Sequence, residues 1–165
     1  MASELFVDQI KPGPGNTSLS ISANGNIGLT IDSAGRLLTP NRPYFYARAG
    51  SGNHTSGTIP YNLVDHNIGG HYDSSTYTFT APVAGVYSIT YQFFARPNNS
   101  GGADLHVNGV LTQRSGREAS ETYYEGHSNA INKYLNVGDT VRVQWYTGSV
   151  HTNTPYSHFS ACLIG

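Results

Sequence analysis

The sequence predicts an all-β protein in which a two-sheet sandwich follows a short N-terminal β-repeat extension. Three observations carry this. Composition favours turns and extended chain over helix, with 19 glycines and 12 tyrosines among 165 residues and only 12% charged. Strand-length segments are punctuated by Gly, Pro, Asn and Asp, the residues that set turns. From Tyr87, the alternation Tyr87, Ile89, Tyr91, Phe93 puts four large apolar side chains on one face of an extended chain. With 38% apolar residues the chain can bury one core. We expect one domain, residues 43–165, preceded by an extension, residues 1–42.

Taken in order, the first segment carries Leu5, Phe6, Val7 and Ile10 and reads as an anchor. It has neither the basic cluster nor the long apolar run of a signal peptide, and nothing later could span a bilayer. Lys11-Pro12-Gly13-Pro14-Gly15 ends it, because proline lacks the amide donor that a ladder needs. A ten-residue repeat follows. Residues 18–27 and 28–37 align without gaps, pairing Leu19 with Leu29, Ile21 with Ile31, Gly25 with Gly35 and Ile27 with Leu37. Each unit is a short alternating strand with a glycine turn, and two such units bury too little to stand alone. We read 1–42 as an attachment and shaft segment whose neighbours are the same segments of other copies.

Beyond Pro43, strands are expected near 44–48, 77–80, 85–96, 103–113, 129–136, 140–147 and 156–164, with a loop at 50–58 and an extended piece at 59–64. Asn108-Gly109 signals a tight turn that would split the 103–113 span into a hairpin. Residues 67–91 are a corner between two strands. Gly69 and Gly70 allow angles barred to other residues, Asp73 starts a local turn, Pro82 stops a strand, and Gly85 reopens the chain. Val141, Val143 and Trp145 share a face that should meet Tyr87, Ile89 and Phe93. Cys162, the one cysteine, is expected to be a buried thiol in the last strand.

Three motifs in order then identify a family resemblance. Gly70-His71-Tyr72-Asp73 with Phe79-Thr80-Ala81-Pro82 and Gly85-Val86-Tyr87, then residues 135–143 (LNVGDTVRV), then residues 156–163 (YSHFSACL), resemble the head domain of complement C1q within the C1q and tumour-necrosis-factor superfamily. The resemblance runs from Pro43 to Gly165 and implies a ten-stranded jelly roll that associates as a homotrimer. It marks Gly70, His71, Tyr72, Asp73, Gly85, Tyr87, Gly138 and Asp139 as fold-defining. Two positions depart from it: Tyr77 stands where the family has Gly, and Ala161 replaces the Gly of the last strand. The stretch from the repeats to Pro43 is similar in composition to short fibre and decoration proteins of tailed phages.

Candidate chemistry is sparse. Seven histidines show no zinc spacing, so no metal and no cofactor are expected. The resemblance allows calcium at a trimer end, with Asp65, Asp73, Asp104 and Asp139 as oxygen donors, but no loop spacing assembles them. Asp139 reads instead as the acceptor for turn amides. Residues 126–130 (GHSNA) fall one glycine short of a hydrolase elbow and no helix follows, so no catalytic residue is assigned. A net charge of −1 without basic clusters argues against nucleic acid.

The remaining clue is aromatic. Tyr123, Tyr124, Tyr146, Tyr156 and Trp145 fall near expected loop ends, and tyrosine with Asn and Ser suits protein or sugar contacts. Asn98, Asn99, Tyr123, Tyr124 and His151 are the candidate ligand residues, in the loops 97–102, 115–126 and 148–155.

The expectation is a non-enzymatic, homotrimeric virion protein of a tailed phage, made in the host cytoplasm and placed on the particle surface. Its partners would be itself and other virion proteins, with the head decorating or cementing the capsid or tail. The rival is a receptor-binding fibre tip that recognises a host glycan or surface protein, and a weaker one is a free lectin or ligand.

Overall fold

A computed structural model describes residues 10–98, 100–115, 122–154 and 156–165; Leu5, Phe6, Val7, Asn99 and most of the 115–126 loop's first half lie outside the described residues. The chain divides into two units, Met1–Arg42 and Pro43–Gly165. Every described element is a strand.

The first unit is an antiparallel meander of β1 (Leu19–Ala23), β2 (Asn26–Ile31) and β3 (Leu37–Leu38). Asn24 and Gly25 turn between β1 and β2 with φ of 50° and 77°, the left-handed pair that a two-residue hairpin requires. Asp32 closes the next turn, its Oδ1 accepting from the amides of Ala34 and Arg36 at 2.9 Å. Leu19 pairs with Ile31, Ile21 with Leu29, and Ile31 with Leu37. Paired residues point the same way, so these five form one apolar face, and Ser20 and Thr30, 3.2 Å apart, lie on the other. The single chain leaves that apolar face open, with Ile21 57% and Leu37 64% exposed.

The second unit begins with β4 (Tyr44–Arg48), β5 (Gly52–His54), β6 (Leu63–Ile68), β7 (Tyr72–Asp73) and β8 (Thr78–Thr80). It continues through β9 (Gly85–Ala95), β10 (Gly101–Val107), β11 (Val110–Ser115) and β12 (Glu125–Leu135), then β13 (Thr140–Gly148), β14 (Val150–Thr152) and β15 (His158–Leu163). One sheet runs β11-β10-β13-β8-β7. The other runs β5-β14-β9-β15-β4-β6, and β12 joins it on β9. β9 is the spine of that sheet, paired with β12 along its whole length and with β15 and then β14 on its other side. Tyr87, Ile89, Tyr91 and Phe93 point inward from β9 and meet Val141 and Val143 of the facing sheet, all buried. Phe45 ties the layers together, stacked on Tyr72 at 4.3 Å between ring centroids and edge-on to Phe159 at 4.9 Å. This is the two-sheet jelly roll that the three motifs imply.

Several local expectations shift. The loop at 50–58 holds β5, and the one at 148–155 holds β14, because these two short strands pair with each other. The extended piece at 59–64 joins β6 only from Leu63: before it Ile59 donates its amide to Val143 O of β13 at 2.9 Å, Pro60 has no amide to donate, and Ile59 and Tyr61 are fully buried. β12 begins four residues early, with Gly126 and His127 pairing Phe94 and Phe93. Residues 126–130 are therefore extended chain and not an elbow. Tyr156 precedes the last strand in a turn. Cys162 is half-buried, not buried, because Phe159 and Ala161 take the inward positions of β15 and put the thiol on the outer face. Trp145 is also only half-buried, donating its indole N–H to Gly148 O at 3.0 Å.

Candidate functional site

The fold-defining residues make the corner as architecture. Gly70 sits at φ 73°, and Asp73 Oδ1 accepts from the Ser75 amide at 2.8 Å and its hydroxyl at 2.6 Å, which holds its carboxyl below the usual range. The side chain of His71 lies over Gly69, where a Cβ would come within 2.2 Å of its ring. Asn67, which the sequence did not single out, is the clasp: its amide donates to Tyr72 O at 2.8 Å while its Oδ1 accepts from Tyr72 N at 3.1 Å. Tyr77 carries a left-handed φ of 57°, the reason a family that uses Gly there does so. At the opposite turn, Gly138 has φ 86°, and Asp139 accepts from the Asn136 amide and from Asn108, each at 2.8 Å. Asn108 in return accepts from the Thr140 amide at 2.9 Å, so two turns lock together.

The carboxylates weighed for calcium are engaged separately. Asp65 accepts from both nitrogens of an Arg48 fork, at 2.5 and 2.7 Å, Asp73 and Asp139 cap turns, and Asp104 pairs with Arg114 at 3.1 Å. Among the described residues no three metal-ligating side chains converge. Asp104, 2% exposed, belongs to a polar cluster between β10, β11 and β12, in which Asn129 reaches both Ser115 and Gln113. Arg114 lies 3.6 Å over the Tyr146 ring. This cluster bridges the edges of the two sheets.

One pocket gathers candidate ligand residues. It measures about 250 Å³ and is lined by Phe94, Tyr124, His151, Asn153 and Tyr156. Strand register builds it. On β9 the residues between the core positions face outward, so Phe94 points away from the core. Across the ladder Phe94 pairs with Gly126 on one side and His151 on the other, and His151 in turn pairs with Asn53. Gly126 has no side chain, which leaves one flank of the Phe94 ring open; a Cβ there would lie 3.3 Å from it. The walls are Tyr156, edge-on to Phe94 at 5.8 Å, and Tyr124, tilted against His151 at 4.7 Å. Asn153 fixes the turn carrying Tyr156, its carbonyl accepting from the amides of Tyr156 at 2.7 Å and Ser157 at 2.8 Å.

His151 donates from Nδ1 to Asn53 Oδ1 at 2.8 Å, which leaves Nε2 as an acceptor, and burial with the nearby Arg96 charge holds its pKa below the ordinary value. The pocket therefore presents neutral rings together with the hydrogen-bonding groups of His151, Asn153 and the two tyrosine hydroxyls. Of the sequence candidates, Tyr124 and His151 come together here, while Asn98 and Tyr123 do not line it. Sequence reasoning missed Phe94. The signal was present, because an aromatic residue out of phase with the inward alternation of β9 must face outward.

The pocket's place follows from chain direction. Pro43 enters beside Leu163, whose amide donates to Pro43 O at 3.1 Å, and β9 starts next to Gly165. β9 then rises about 3.3 Å per residue to Ala95. Phe94 thus lies at the end of the sandwich away from the chain entry.

A family model for the C1q domain matches residues 44–164. Among solved structures the chain is similar to the globular domain of zebrafish complement 1qA, with a TM-score of 0.62 and 15% identity over 75% of this chain and 98% of that one. It is also similar to murine APRIL, at 0.61 and 11% over 74% and 99% of the two chains. Eiger TNF from S. frugiperda aligns at 0.56 and 13% over 75% and 94%.

Proposed function

The chain belongs to the C1q domain family, and from that premise we propose that it is a non-enzymatic, homotrimeric structural protein on the surface of a tailed-phage particle. Residues 1–42 attach it and the C1q-like head decorates or cements the capsid or tail. The observation that carries this reading is the apolar face of Leu19, Ile21, Leu29, Ile31 and Leu37, which one chain leaves open. A three-stranded meander with that face in water is not stable alone, and C1q and tumour-necrosis-factor homologues form homotrimers. Two further copies of the same face are therefore its natural cover. The ten-residue repeat and the Pro-Gly joint before it support a shaft, and the compositional likeness to phage decoration proteins supports the setting.

Deleting residues 1–14 should abolish incorporation into particles and leave a soluble trimer. Retained incorporation contradicts the attachment role, and one labelled electron micrograph of intact particles locates the protein.

A second reading, a receptor-binding tip, is favoured by one observation. The aromatic pocket sits at the end of the head away from chain entry. Competition between purified trimer and infection supports the tip, whereas particles that lack the protein, adsorb normally and burst under heat support cementing.

A further inference from the structure

We propose that the pocket of Phe94, Tyr124, His151, Asn153 and Tyr156 binds a single neutral sugar ring, stacked by its C–H face on the aromatic side chains. The inference rests on the receptor-binding reading and names the ligand class of that site.

Charge decides first. None of the five lining side chains is Lys, Arg, Asp or Glu, and His151 is held toward its neutral form, so the lining itself carries no counter-charge, and the nearby Arg96, whose charge acts on His151, stands outside it. Size decides next. At about 250 Å³ the pocket is smaller than the roughly 300–1,000 Å³ of sites for larger ligands, which suits one ring rather than a chain. Its polar groups then select among small neutral rings. His151 Nε2 is free to accept because Nδ1 donates to Asn53, and the Asn153 amide can both donate and accept. An apolar floor with an acceptor and an amide at the wall matches a pyranose, whose C–H face is apolar and whose edge carries hydroxyls. A hydrocarbon ligand would leave His151, Asn153 and the two tyrosine hydroxyls unused.

The site is also built to stay open. Tyr124 and Tyr156 are 48% and 56% exposed, two large aromatic walls held in water by β14, by the 153–157 turn and by the bare flank at Gly126. Tyrosines present wide contact area for little loss of side-chain entropy.

The test uses the full-length trimer and saturation-transfer NMR with methyl glucoside, methyl galactoside and N-acetylglucosamine, with sialic acid as the anionic control. At least one neutral sugar should bind, with its ring protons in contact and more tightly than sialic acid. Tyr156→Ala should weaken binding roughly tenfold. Gly126→Val, which lays a side chain on the open flank of Phe94 in an exposed strand position, should block binding while the trimer mass and melting temperature hold. Absence of binding by every neutral sugar overturns the proposal, as does binding unchanged in both variants. Cell adsorption separates the two levels. Trimer that blocks infection without binding any of these sugars retains the tip reading and rejects the sugar; trimer that does neither rejects both.

Discussion

At the residue scale, two glycines that look alike in the sequence differ in what they tolerate. Gly138 has φ 86° with open space around it, so Gly138→Ala should cost only the left-handed penalty, about 1 kcal/mol. Gly148 has φ 60° and a Cβ there would lie 1.2 Å from Ser100 O, a backbone atom that cannot swing away. Gly148→Ala should therefore cost about 3 kcal/mol or more, since overpacking adds to the backbone strain. Urea unfolding of the two variants reads the difference, and equal losses would contradict it. Gly138 was legible because its turn belongs to a motif. Gly148 was not, because the clash comes from a residue in another loop that only the folded chain brings near.

The histidines set a pH response at the same scale. His54, His151 and His158 all have pKa values lowered, each chiefly by burial, so the folded chain binds fewer protons than the unfolded one as pH falls. Stability should be level above about pH 7 and decline below the unfolded value near 6.5. Asp65, Asp73 and Asp139, lowered chiefly by hydrogen bonds from Arg48, Ser75 and Asn108, contribute stability that persists above 3.8 and disappears only at more acidic pH. Melting temperature against pH should therefore fall in two windows, and His158→Gln should flatten the upper one.

At the element scale, β10 and β11 depend on a charge. Asp104 is 2% exposed with Arg114 as its cation, so Arg114→Met leaves a buried carboxylate unpaired and should destabilise by about 2–4 kcal/mol. The double variant with Asp104→Asn should recover much of that loss, and an additive double variant would contradict the pairing. The strands themselves were largely readable. Alternation placed β9 and β13, and the Asn108-Gly109 turn split β10 from β11. What escaped was short and depended on partners. β5 and β14 are three residues each and exist because they pair with each other, so neither has a local signal. The pocket was half legible for the same reason: Tyr124 and His151 stood out as loop residues, while Phe94 and the gap at Gly126 required the register of β9 against β12 and β14.

At the scale of the whole molecule, the two units show opposite economies. The head buries Phe45, Phe79, Phe93 and Phe159 completely, each contributing on the order of 2 kcal/mol or more. The meander of β1, β2 and β3 keeps its apolar face exposed, which is an unstable arrangement for a chain on its own and a reasonable one for a chain among copies. Association with further copies would cover that face, and it is read most directly from the mass of the full-length protein in solution by sedimentation equilibrium or light scattering. The predicted result is three times the chain mass of 17.8 kDa, unchanged on dilution; a mass of one chain would contradict it.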